Sequence, residues 1–530
     1  MDGMETRNLP IGIQDFEYIR NNGCVYVDKT AYVYRMARRG KPYFLARPRR
    51  FGKSLMVSTL RAYFEGRKEL FQGLAIASLE KEWVEHPVFH IDLNAEGYTD
   101  IESLDAGLDS NLWPLEEKWG ANPPGTGKTP AARFQGLIRR AAEKTGKGVV
   151  VLIDEYDRPL VQTMGKGQIH EDMLAALKGF YGVLKSADRW LRFVFITGVS
   201  KFSRVSIFSD MNQPRDISME EEFAGICGIS EAELADGFEH EIRLLARKNK
   251  MAYGEALSEM RKRYNGYRFA PGAETVYNPF SVLNTLVKQT FGYYWFQTGT
   301  PTFLIEQVRA AGFDIPDFAN GVTAFAQNID DYRAKGDDPV PLLYQTGYLT
   351  IRDYDPGLGE YTLGFPNEEV KYAFLDELLD SYMPRGVHLQ GLFAGDFAKD
   401  LRKGDVESFM RRLQSLVAAV PYNNEGAETE HHVETVVFLL FTLIGQFVQA
   451  EVHSHKGRAD VVASTGEAVY VFELKLASGD GGKATTAAMR QIGEKDYMGP
   501  YRSSGKRLVK VAAAYDPGTR KLGEPTIQEE

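Results

Sequence analysis

Pro42–Gly66 reads PYFLARPRRFGKSLMVSTLRAYFEG. PYFLA is short and apolar, as a buried strand would be. From Lys53 onward, apolar residues recur at helical spacing. Between the two lies a basic loop ending in Gly52. Other segments repeat the strand half of this unit or supply helices between strands. Val88–Asn94 (VFHIDLN) is a strand ending in polar groups. Arg133–Gly146 (RFQGLIRRAAEKTG) is an amphipathic helix stopped by glycine. Gly148–Asp157 (GVVVLIDEYD) is a wholly apolar strand ending in acids, and Arg192–Ser200 (RFVFITGVS) repeats its shape. Apolar strands alternating with helices predict an α/β fold with a parallel sheet covered on both faces.

The basic loop reads as a phosphate cradle. The pattern is GxxxxGK[ST]: backbone N–H groups surround the phosphates, the lysine reaches the β- and γ-oxygens, and the hydroxyl ligates Mg²⁺. Arg47–Ser54, RPRRFGKS, supplies Gly52, Lys53 and Ser54 and has Arg47 where the first glycine belongs. By letters the match fails. Its place between a strand and a helix restores it, because a helix N-terminus directs its dipole at a bound anion. Arg47, Arg49 and Arg50 add positive charge. The expected ATP-binding set is therefore Arg47, Arg50, Gly52, Lys53 and Ser54, with Ser54 also on Mg²⁺. Asp154 and Glu155 supply the second half: the aspartate holds the metal and the glutamate polarises the attacking water. Thr197 and Ser200, ending the strand from Arg192, are candidates to stand near the terminal phosphate. Lys201 and Arg204 are candidates to neutralise it, and Arg204 is also a candidate arginine finger. NPPGTGKT (Asn122–Thr129) is closer to the pattern in letters. However, EEKWGA before it is no buried strand, and Pro130 follows it directly. It reads as a Gly/Pro loop.

A second constellation lies far downstream. After a middle stretch of helices and aromatic loops, the chain returns to strands: FVQAEVHS, ADVVAST and AVYVFELKL. GRAD ends in Asp460, and AVYVFELK contributes Glu473 and Lys475. Residues two apart on a strand face one side, so Glu473 and Lys475 point together. The short STGEA turn brings them opposite Asp460. Charges within an apolar strand are costly unless they serve a purpose. The arrangement resembles that of PD-(D/E)XK nucleases, which implies two carboxylates binding Mg²⁺ and a lysine orienting water for hydrolysis of phosphodiesters. Glu434, in a preceding helix, is a candidate further oxygen ligand. EVHSH (Glu451–His455) reads as polar alternation on an edge strand. The aromatic segments YYWF and YNGYRF read as packing. The expected domains span residues 8–219, 220–383 and 384–520.

RPRRFGKS, LIDEYDRPL and FITGVSKFSRVSIFS together resemble a bacterial AAA-ATPase-like family whose members carry a C-terminal PD-(D/E)XK nuclease domain. YVDKT (from Tyr26), NGYRF (from Asn265), VYNPFSVLN (from Val276), YWFQTGTPTFL (from Tyr294) and LLYQTGYLTI (from Leu342) also resemble its pattern. An arginine in place of the first glycine is usual there. Gln491 and Tyr497, in RQIGEKDY, resemble the Q…Y motif of the RecB-like branch of these nucleases. The insertion from Trp113 to Pro130 has no counterpart in the pattern. The resemblance implies a P-loop ATPase domain, a helical middle region and a restriction-endonuclease-like domain. It also implies ATP and Mg²⁺ as cofactors and nucleic acid, DNA above all, as partner. The alternative is a nucleotide-controlled switch whose nuclease fold grips nucleic acid without cutting it.

Composition sets the outer limits. A formal net charge of −9 excludes a generally basic, nucleic-acid-coated surface but leaves room for a local groove. Only Cys24 and Cys227 are available, too few for a disulfide framework, which fits a reducing cytoplasm. The first residues lack a basic and then apolar leader, and no apolar run reaches the ~20 residues of a membrane span. A homo-oligomer is possible on this reading, since an arginine finger acts across subunits.

Overall fold

The computed structural model describes residues 7–40, 42–94, 97–201, 208, 214–298, 302–330, 338–383, 392–420, 426–455, 458–477, 481–516, 519 and 521–530. The chain divides into two compact units. The first comprises Met1–Thr300 and Gly321–Val370; the second comprises Pro301–Asn320 and Lys371–Glu530. The stretch 220–383, expected as a middle region, is thus shared between the two.

The first unit is built on strands β1 (Tyr43–Ala46), β2 (Val88–Asp92), β3 (Val149–Asp154), β4 (Leu191–Gly198) and β5 (Arg215–Asp216). They pair in the order β2-β3-β4-β1-β5, all parallel. Every residue of β1 and β3 is buried, as strands covered on both faces must be. Helix α1 (Lys53–Phe64) follows β1 and packs on β2, β3 and β4 through a face that includes Met56, Val57, Leu60 and Phe64. Helices α2 (Ile101–Trp119), α3 (Pro130–Thr145) and α4 (Gln168–Ser186) pack on one another, with Phe134 stacked on Phe180 at 4.8 Å.

The same unit continues into a second core. Three helices, Glu231–Lys248, Tyr253–Tyr264 and Pro279–Lys288, pack around Leu234, Phe238, Ile242, Met260 and Val282. A small antiparallel sheet, order β6-β8-β7, joins β6 (Val322–Phe325), β7 (Thr350–Asp355) and β8 (Glu360–Gly364).

The second unit holds a mixed sheet of β9 (Gln449–His455), β10 (Arg458–Ser464), β11 (Ala468–Leu476), β12 (Arg507–Asp516), β13 (Lys521–Leu522) and β14 (Thr526–Glu529). Its order is β13-β12-β11-β10-β9, with β14 also on β12. Only β11 and β12 run parallel, and helix α5 (Gly481–Glu494) connects them, as a parallel pair requires. Side chains alternate along β11. Phe472 packs against Phe409 and Phe441, both from helices preceding the sheet. Val469 and Val471 face Ile492 of α5.

Candidate functional site

The first site forms where β1 and β3 end. The chain leaves β1, turns through Arg50 (φ 65°) and Gly52 (φ 94°), and enters α1 at Lys53. The left-handed backbone at Gly52 suits a residue without Cβ. Lys53 is 4 % exposed. Its Nζ donates to the Pro48 carbonyl at 3.3 Å and lies 3.5 Å from Glu155 Oε1. Asp154 closes β3 and accepts hydrogen bonds from the Ser54 hydroxyl and from the Glu155 amide (3.0 Å). Burial raises the Asp154 carboxyl to about pH 6, although the Ser54 hydroxyl and Lys53 pull it down. Glu155 has φ 53°, an uncommon backbone for a residue with a side chain, and such conformations collect at functional turns.

These groups open on a cavity of about 460 Å³, lined among others by Arg50, Gly52, Lys53, Ser54, Asn94 and Glu155. A hydroxyl and a buried carboxylate held together are hard oxygen donors suited to Mg²⁺. A lysine and a helix N-terminus beside them suit a phosphate chain. The residues present therefore fit both ATP and its metal.

The missing glycine has a structural explanation. Arg47 is 1 % exposed, and its guanidinium donates to the carbonyls of Ala46 (3.0 Å), Ser218 (2.7 Å) and Phe223 (3.2 Å). It also lies 4.0 Å over the Phe269 ring. These contacts turn its charge into the protein and not toward the cavity, which corrects the expectation that it lies on phosphate. Phe51 packs on Tyr267 and Phe269, and its carbonyl accepts from the Gly228 amide at 3.2 Å. The loop is shaped by partners far along the chain, so its first position does not have to be glycine.

Thr197 departs from expectation in the same way. Its hydroxyl is buried and donates to the Leu45 carbonyl at 2.9 Å, fastening β4 to β1. The Ser200 amide and hydroxyl both donate to Asp157 Oδ2, at 2.7 and 2.6 Å. Lys201 Nζ pairs with Asp216 at 3.0 Å. Arg204 lies outside the described residues. Arg50 lines the cavity and sits 5.2 Å from the Phe280 ring. The loop Asn122–Thr129 follows the end of α2; its Asn122 side chain bonds the Gly127 and Ala132 carbonyls, and Thr129 caps α3.

Sequence reasoning passed over three residues of this site. Asn94 follows β2 and lines the cavity. Asp157 holds the end of β4, and the last acid of DEYD is its signal. Arg158 also lines the cavity; its Nε is buried and lacks a hydrogen-bond partner among the described residues.

In the second unit, β10 and β11 pair with Asp460 directly opposite Glu473 and Arg458 opposite Lys475. Directly opposed positions share a face of the sheet. Glu473 is fully buried and Lys475 half-buried. The side chains of residues 451–460 lie outside the described ones, including those of Asp460 and EVHSH. The Gln491 amide nitrogen on α5 is buried without a partner among the described residues, and Tyr497 packs against the Val471 cluster. Glu434 belongs to helix Gly426–Ile444, which packs on Phe472 and so on the opposite face from Glu473. Among the described residues no three His, Cys, Asp or Glu side chains gather as a metal cluster.

Two family models match the chain: a predicted AAA-ATPase over residues 10–208, and the PD-(D/E)XK nuclease superfamily over residues 428–524. Over 528 residues, 98 % of both chains, it is 32 % identical to an uncharacterized protein in the vnfD 5′ region of Azotobacter chroococcum mcd 1. The chain belongs to this AAA-ATPase-like family. The AAA-ATPase-like match contains the cavity wall from Arg49 to Arg158, and the nuclease match contains β9 to β13. Residues 209–427, which contribute Ser218, Phe223, Tyr267 and Phe269 around the phosphate loop, fall outside both matches. No described helix is long and apolar enough to cross a membrane.

Proposed function

We propose that the protein binds and hydrolyses ATP in its first unit and uses that cycle to control cleavage of nucleic acid phosphodiesters by its second. The observation that carries this reading is the meeting of Ser54 with Asp154 and of Lys53 with Glu155 at one cavity. Lys53 and the amides opening α1 hold the phosphates. Ser54 and Asp154 hold Mg²⁺, which when bound neutralises charge on the transferred phosphoryl group. Glu155, held in a fixed turn, takes the proton of the attacking water. Arg50 adds charge at the rim. In the second unit, Asp460 and Glu473 bind a divalent metal and Lys475 orients the hydrolytic water. The buried acid in β11 and its register with Asp460 favour this assignment. DNA in the cytoplasm is the substrate and setting this reading expects.

The test is a cleavage assay on single- and double-stranded DNA and RNA with Mg²⁺, with and without ATP. Wild type, Lys53→Ala and Glu473→Gln are compared. The reading expects ATP-responsive cleavage that Glu473→Gln abolishes and Lys53→Ala uncouples from ATP. Nucleic acid binding without cleavage by the wild type would move the second unit to a gripping role.

A further inference from the structure

The sequence contains Gln-Thr-Gly twice, at Gln297–Gly299 and Gln345–Gly347, and neither copy belongs to a nucleotide motif. A residue beside the first copy and the glycine of the second touch the phosphate loop. Trp295, 5 % exposed, donates its indole Nε1–H to the Arg49 carbonyl at 3.0 Å. Gly347 lies directly against Pro48: a Cβ there would stand 2.7 Å from Pro48 Cβ and Cγ and 3.6 Å from the Trp295 ring, and its φ is 91°. Tyr348 packs on Trp295 at 5.3 Å. Consecutive loop residues, Pro48 and Arg49, thus rest on residues some 300 and 250 positions later in the chain.

Trp295 is itself fixed. Its backbone amide donates to Glu369 Oε1 at 2.7 Å, and the other carboxylate oxygen accepts from the Ser281 hydroxyl at 2.7 Å. The amides of Tyr294 and Phe296 also donate to Glu369. An acid with no exposed surface that collects several N–H groups around one tryptophan is arranged to hold a segment still. Burial raises that carboxyl to about pH 7.

We propose that Trp295, fixed by Glu369, is a positioning residue for the nucleotide site: it sets the phosphate loop through the Arg49 carbonyl, with Gly347 as the surface on which Pro48 rests. The proposal rests on the nucleotide-binding reading above. It gives the region outside both matched families a task in the ATP cycle.

The experiment measures ATP and ADP affinity of the full chain by calorimetry for wild type and Trp295→Phe. Phenylalanine keeps an aromatic ring beside Tyr267 and Tyr348 and deletes the N–H donor together with the second ring of the indole. One neutral hydrogen bond corresponds to a roughly fivefold change in Kd. Trp295→Phe should therefore bind ATP about fivefold more weakly, with a single cooperative unfolding transition and a wild-type circular dichroism spectrum showing an intact fold. A second measurement uses the wild type alone: one of its five indole N–H resonances should shift when ATP is added. Equal affinity in Trp295→Phe, or no responding indole, overturns the positioning role while wild-type binding stands. A wild type that binds no ATP overturns the nucleotide reading and this inference together.

Discussion

Asp154→Asn probes the candidate metal site through stability as well as activity. Asp154 is 3 % exposed at the end of β3, and burial raises its pKa from 3.8 to about 6. A little over two pH units, at about 1.4 kcal/mol each, amounts to roughly 3 kcal/mol. The folded-state value lies above the unfolded one. Its stabilising contribution is therefore complete below about pH 3.8 and is lost as pH rises through about 6. At pH 8 the metal-free wild type carries an ionised buried carboxylate. Asparagine removes that charge and keeps an oxygen to accept the Glu155 amide, now 3.0 Å away. Metal-free Asp154→Asn should consequently be more stable than wild type at pH 8, by up to about 3 kcal/mol, and the gain should shrink at pH 5. Mg²⁺ with ATP should stabilise wild type and leave the variant nearly unmoved. Urea unfolding at both pH values, with and without Mg·ATP, reads all four quantities through a probe in the first unit. A variant destabilised equally at pH 5 and pH 8, or one that Mg·ATP stabilises as strongly as wild type, refutes the reasoning.

Three further outcomes follow from the geometry. Lys53→Ala removes the cation at the head of α1 and should weaken ATP binding by roughly ten- to a hundredfold, the worth of a charge-assisted hydrogen bond, as titration calorimetry would show. Arg158→Ala should slow ATP turnover by roughly tenfold or more, because an arginine at a phosphoryl-transfer site acts mainly on the transition state; steady-state kinetics showing a change in KM alone would reassign it. Glu473→Gln keeps the shape of β11, so the variant should unfold in one cooperative step at a midpoint no lower than wild type while Mn²⁺ binding, followed by paramagnetic broadening, falls.

The strands and the helix after the phosphate loop were legible because their signal is local. Five apolar residues before Asp154 and helical spacing after Lys53 need no knowledge of the rest of the chain. The pairing of Ser54 with Asp154 was legible for the same reason, since each stands at the end of a strand or the start of a helix. Arg47 and Thr197 were read toward the cavity, and both side chains are spent elsewhere. Their partners, the carbonyls of Ser218, Phe223 and Leu45, are backbone groups that carry no letter in the sequence. The same holds for the hold on Arg49, which comes from Trp295. Glu434 was assigned by order along the chain, whereas the alternation of β11 decides which face its helix covers. Arg158 was hidden because an arginine after DEYD resembles any surface base until its buried Nε is seen.

The strand order has a consequence in lengths. β4 lies between β1 and β3, so the end of the loop-bearing strand and the end of the acid-bearing strand are two steps apart, roughly 10 Å. The loop has to arch over the tip of β4 to bring Ser54 back to Asp154. The tip beneath that arch is Gly198, where a Cβ would meet Asp157 and stand 2.6 Å from the Tyr156 ring. The bridge thus spans a floor with no room for even a methyl group. A single added carbon on Gly198 would push aside Tyr156 and Asp157, the residues that follow the two acids of the site.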